Sequence, residues 1–205
     1  MERMPHRHRG GEPPDRSSDL LLEIRRARRA LPAEHRELLD ELGVQEAVMW
    51  KWPDDVIALY RTLGRRTPAA ARLVCAAAVW LDDLRTVAFN GPYLTATTLG
   101  LDEASRQLAL GYVAVHEYGH ALSLRRATAE HREDGRRLLG LLPPAMRDHI
   151  GRSGYRTTEL FDEVVATVYE LMVRRVREHG YGPPEFLHPD VLAAFLEVIP
   201  WPKIR

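Results

Sequence analysis

The sequence predicts a mainly helical α+β fold with a small β-sheet. Three observations predict it. Apolar residues recur at helical spacing over most of the 205 residues, punctuated by capping residues, Gly and Pro. One stretch, Leu84 to Asn90, breaks that spacing and places Thr86, Val87 and Phe89 in a strand-like run. Two long helices follow, one around His116-Glu117-Tyr118-Gly119-His120 and one from Thr157 or Thr158 to His179, whose acidic residues lie among apolar ones.

Composition bounds the function before any motif is read. Acidic and basic residues balance at 29 each, which implies no general field for nucleic acid or for an acidic partner. The lone cysteine, Cys75, lies in an apolar run, reads as a buried structural thiol and allows no internal disulfide. The first residues lack the apolar core of a secretion signal, and no stretch is long and apolar enough to span a bilayer. The expectation is a cytoplasmic protein with no membrane partner. Its divisions are a disordered tail (1–18), an N-terminal helical region packed on the core (19–80), and the core itself (81–205).

In chain order, Asp19 reads as an N-cap for a helix to about Ala30. Its Arg25, Arg26, Arg28 and Arg29 form a short basic cluster. Without interleaved aromatics, this reads as a solvated face rather than a nucleic-acid contact. Pro32 opens a second helix, with Leu38, Leu39 and Leu42 on one face and Gly43 at its end. Met49, Trp50 and Trp52 read as a packing plug. Asp54 caps a helix to Leu63, and Thr67-Pro68 opens an Ala-rich helix to about Trp80. The strand at 84–90 ends at Asn90-Gly91-Pro92, and a second short strand is expected over Tyr93–Thr97.

Asp102 caps the helix that carries HEYGH, which is expected to reach Arg125 or Arg126. Gly119 leaves space for another backbone to approach. Residues 127–137 form a further helix or connection, Pro143-Pro144 opens a short helix, and Pro189-Asp190 starts the last one, which ends near Ile199.

HEYGH is an instance of HExxH. Residues four apart share a helix face, so His116 and His120 can present two imidazole nitrogens to one ion. Glu117 borders that face and reaches a water held there. Two imidazoles, a nearby carboxylate and a water are the parts of a hydrolytic zinc site. The flanking Tyr112, Val113, Val115, Ala121 and Leu122 make the helix apolar, and buried imidazoles there need a partner, which a metal supplies. Catalytic zinc usually takes three protein ligands, so one is missing. Glu159, Asp162 and Glu163 lie in the first turns of the second long helix. The helix dipole favours acids there, yet a carboxylate among apolar residues can also face the ion.

With these residues in view, residues 84–180 resemble the zincin metallopeptidases, and among them the compact gluzincins. Position 126 is Arg where the metzincin pattern has a third His. The resemblance implies zinc as cofactor, a peptide or protein substrate, His116, His120 and Glu163 as ligands, and Glu117 as general base. Glu163 begins a Glu-x-x-Ala run in which Ala166 leaves room for the helices to meet. Glu159 and His131 remain alternatives for the third ligand. Asp162, Glu159 and Glu170 are candidate outer partners, and Tyr155, Arg156, His131 and His149 are candidate oxyanion donors. Thr167 departs from the thermolysin-like pattern, which has an acid there to brace a zinc His. The edge of the β-rich piece is expected to pair with an extended peptide. The alternative is a zinc-stabilised binding or regulatory protein without turnover.

Overall fold

The computed structural model describes residues 16–64, 73, 76–123, 127–152, 155–180 and 184–202. Those residues form a mainly helical chain around a three-stranded mixed sheet. Cys75 and the far end of the HEYGH helix at Arg125 or Arg126 lie outside the described residues.

Helix α1 (Arg16–Arg29) begins three residues before Asp19. Asp19 therefore sits in the first turn, where a carboxylate suits the helix dipole equally well, and is not the N-cap. Residues 16–18 of the expected tail therefore belong to α1, and residues 1–15 lie outside the described residues. Helix α2 (Ala33–Glu41) follows Pro32, and Gly43 takes the left-handed φ of +68° that turns the chain into β1 (Gln45–Met49). That strand was not expected. Its residues carry weak β-propensity, and its pairing partner lies about forty residues ahead. Helix α3 (Asp54–Thr62) lies where expected, but Pro53 is its N-cap and Asp54 is its first residue, where the helix dipole favours a carboxylate. The start of the Ala-rich helix expected at Thr67-Pro68 lies outside the described residues, and its expected end near Trp80 is not helical. Residues Ala78–Leu81 form β2, because β3 (Thr86–Asn90) returns antiparallel beside them after a 3-10 turn at Asp82–Leu84.

The sheet order is β1-β3-β2, with β1 parallel and β2 antiparallel to β3. The strand read from the sequence is therefore central, with both edges taken, and β2 is an outer strand. The sheet also crosses the division drawn at residue 80: β1 precedes it, β2 spans it and β3 follows it.

The second strand expected at Tyr93–Thr97 is instead helix α4 (Gly91–Thr97). Asn90 ends β3 and caps the helix. Its side-chain oxygen accepts the Tyr93 N–H at 3.1 Å, and Pro92 sits in the first turn, where no N–H is needed.

Helix α5 (Glu103–Ser123) carries HEYGH, and Asp102 caps it by accepting the Ser105 N–H at 2.7 Å. Helices α6 (Ala129–Glu133), α7 (Gly135–Leu141) and α8 (Pro144–Arg152) lead to a 3-10 turn at Thr157–Glu159. Helix α9 (Leu160–His179) follows, and α10 (Pro189–Val198) closes the described fold.

Helices α5 and α9 form the centre. Leu110, Ala114, Val115, Tyr118 and Leu122 share one buried cluster with Phe161, Val164, Val165, Val168 and Met172. They run antiparallel: Glu163 lies beside His120, Ala166 beside Gly119, Arg177 beside Gly111, and Glu178 accepts the Tyr112 hydroxyl at 3.1 Å. Helix α1 packs on α5 through Leu20, Ile24 and Ala27, and β2 lies against α5. No helix among the described residues is long and apolar enough to cross a membrane.

Candidate metal centre

The site is built from one turn of α5 and the first turn of α9. His116 and His120, one turn apart, stand edge to face with ring centroids 4.9 Å apart. Their Nε2 atoms converge on Glu163. Oε2 of that carboxylate lies 3.4 Å from His116, and Oε1 lies 3.3 Å from His120. One donor atom from each of the three residues falls within 4.8 Å of the others. The side chains of His116, His120 and Glu163 are 22%, 12% and 10% exposed.

This approach depends on two small residues. A Cβ on Gly119 would meet Ala166 Cα at 2.9 Å, closer than real contacts allow. Glycine on α5 and alanine on α9 let the backbones close until Glu163 spans both rings.

The electrostatics follow from burial and proximity. Burial pushes the Glu163 carboxyl up, but the two imidazoles outweigh it and hold the group well below the usual carboxylate range. Burial pulls the His116 imidazole down, yet Glu163, Glu170 and Glu117 together raise it to about 10. His120 is raised for the same reason, chiefly by Glu163 against burial. Glu117 behaves differently. It is 8% exposed, and burial pushes its carboxyl up despite both imidazoles. The backbone of Trp80, on β2, works weakly against that rise.

The remaining residues singled out in the sequence fall into place around this group. Glu170 Oε2 lies 3.6 Å from His116 Nδ1, on the ring edge away from Glu163. Asp162 Oδ2 is 3.5 Å from Arg132 Nε, and its buried Oδ1 has no hydrogen-bond partner. Burial raises Asp162, against the pull of Arg132 and His120. Glu159 lies apart, where its carboxylate accepts the Arg156 N–H at 2.9 Å and caps the turn before α9. His131 is committed elsewhere: Nδ1 accepts the Thr128 N–H at 3.0 Å, and Nε2 faces Glu197 at 3.2 Å. Tyr155 and Arg156 lie in the link before the 3-10 turn, and His149 is exposed on α8; the three-residue group forms without them.

The basic cluster on α1 is partly spent on internal pairs. Arg26 pairs with Glu23 at 2.6 Å. Arg28 pairs with Glu46 and Asp40 and donates to the Val44 carbonyl at 2.8 Å.

The donor set suits zinc. Two imidazole nitrogens and one carboxylate match its preferences. A divalent cation would also compensate three largely buried ionisable groups at once.

The part of the site that sequence reasoning missed is β2. Its conformation comes from pairing with β3, which has no local signature, and it lies at the end of an Ala-rich segment. No protein-family model, curated protein or solved structure matches the chain.

Proposed function

We propose that this chain is a zinc-dependent metallopeptidase of the zincin type, with His116, His120 and Glu163 as the metal ligands and Glu117 as general base. The observation that carries this reading is the convergence of those three donors from two helices, with a buried carboxyl one residue from the first of them. A zinc ion held by these residues would supply Lewis-acid chemistry.

The chain's own residues supply the remaining steps. Glu117 takes a proton from the attacking water and delivers it to the leaving amine. Its burial favours this role, because a carboxyl raised toward neutrality both accepts and releases a proton readily.

The strand β2 offers a place for the substrate. The Asn90 N–H donates to the Ala77 carbonyl, so Ala77, Val79 and Leu81 turn their backbone groups toward β3. Ala78 and Trp80 turn theirs outward, past Glu117. An extended peptide pairing with that edge would run alongside the metal group.

The test is cleavage of a peptide library by the zinc-loaded protein, set beside Glu117→Gln. The parent is expected to cleave. The variant is expected to lose about 10²–10⁴-fold in rate while keeping its zinc. Full activity in the variant would remove Glu117 from the mechanism. The low exposure of the three ligands also suits a closed, purely structural zinc site. That second reading predicts zinc in both proteins and cleavage by neither.

A further inference from the structure

We propose that Glu170 is a positioning residue of the metal centre: its carboxylate holds His116 through Nδ1 and so presents Nε2 to the ion. The inference rests on the metal-site reading above.

An imidazole that gives its Nε2 lone pair to a metal carries its proton on Nδ1, and a largely buried N–H needs an acceptor. Glu163 is engaged on the Nε2 side of both rings. Glu170 Oε2, 3.6 Å from His116 Nδ1, is the carboxylate on the opposite side. A movement of a few tenths of an ångström brings it into hydrogen-bond range.

The antiparallel pairing of α5 and α9 explains why this residue reaches. Glu163, Ala166 and Glu170 fall on one face of α9, at successive turns. Ala166 seats against Gly119, which places the next turn of α9 opposite His116. Side chains of a helix lean toward its N-terminus, so the carboxylate of Glu170 lies over the turn that holds Ala166 and Thr167. Position 167 itself offers only a Thr hydroxyl. The longer arm of a glutamate one turn further on supplies the missing acceptor. The arrangement is one-sided: among the described residues, His120 has no second carboxylate at ion-pair distance beyond Glu163.

The test is zinc affinity of the full chain, measured by competition with a chromogenic chelator at fixed pH. The parent, Glu170→Ala, Glu170→Gln and Glu178→Gln are compared. Glu178, on the same helix, pairs with Tyr112 and Arg174 and controls for loss of charge. Glu170→Ala is expected to bind zinc about 10–100-fold more weakly. Glu170→Gln, whose amide oxygen still accepts from Nδ1–H, is expected to fall between it and the parent. Glu178→Gln is expected to match the parent. Imidazole nitrogen NMR of the zinc-loaded parent should show His116 protonated at Nδ1. Should Glu170→Ala fail to fold, Glu170→Gln decides: affinity equal to the parent's overturns the proposal. Parent-like affinity in Glu170→Ala, or a His116 protonated at Nε2, overturns it while leaving the zinc site standing. A parent that binds no zinc overturns the zinc site itself, and this inference with it.

Discussion

At Gly119 the two central helices touch through their backbones. A methyl group there would need space that Ala166 Cα and Tyr169 Cβ already occupy, at 2.9 Å and 3.1 Å. In an exposed helix, Gly→Ala stabilises by up to about 1 kcal/mol. Here the steric term dominates, and Gly119→Ala is expected to cost about 1–3 kcal/mol in urea denaturation. It should also weaken zinc binding by moving Glu163 off the rings. A gain in stability would show that the contact has slack. Glu46 presents the opposite problem, a charge whose partners cannot spare it. It is 7% exposed, pairs with Arg28 and accepts the Tyr118 hydroxyl at 3.1 Å. Glu46→Ala leaves a largely buried guanidinium and a buried phenol without their shared acceptor. The expected loss is about 3–5 kcal/mol by the same denaturation assay. A loss under about 1 kcal/mol would mean that water reaches Arg28 once the carboxylate is gone.

Among the elements, the segment after α10 is tied down by one histidine. His35 on α2 contacts the Tyr169 hydroxyl at 3.2 Å through Nδ1 and the Pro200 carbonyl at 2.9 Å through Nε2, and Trp201 stands edge-on to its ring. Burial lowers its pKa below 6.5, against the Pro200 carbonyl and Glu34. The folded state thus binds fewer protons than the unfolded state near pH 6. The stability this neutral imidazole contributes is complete above about pH 6.5 and declines as pH falls through that value. Unfolding free energies at pH 7.5 and 5.5 should therefore fall further in the parent than in His35→Asn. Equal declines would place the titration elsewhere.

Legibility in the sequence also divides by element. The HEYGH helix, its Asp102 cap and the glutamate-bearing helix were readable because their signals are local: periodicity, a cap and a motif spacing. The strands β1 and β2 were not readable. Each is only four or five residues long, and each owes its conformation to pairing with β3. Asn90-Gly91-Pro92 was readable as an end of strand but not as the start of α4, because a turn and an N-cap use the same residues. At the site, Glu163 stood out from Glu159 through the small residue one turn later, and the structure shows the space which that residue provides.

Across the whole molecule, the His116–His120–Glu163 group sits where early and late parts of the chain meet. The α1 helix and the β2 strand, from before residue 82, pack on α5, and α9 closes over it from the other side. The β2 strand lies beside the helix that bears Glu117, and α9 brings Glu163 to both rings and Glu170 to His116. On this account, the long N-terminal portion is part of the site's architecture. The most direct test of the central claim is the zinc content of the purified chain, measured by elemental analysis after dialysis, beside that of Glu163→Gln. The account predicts one zinc per parent chain and a large loss in the variant. A parent without zinc, or a variant that retains a full equivalent, would contradict it.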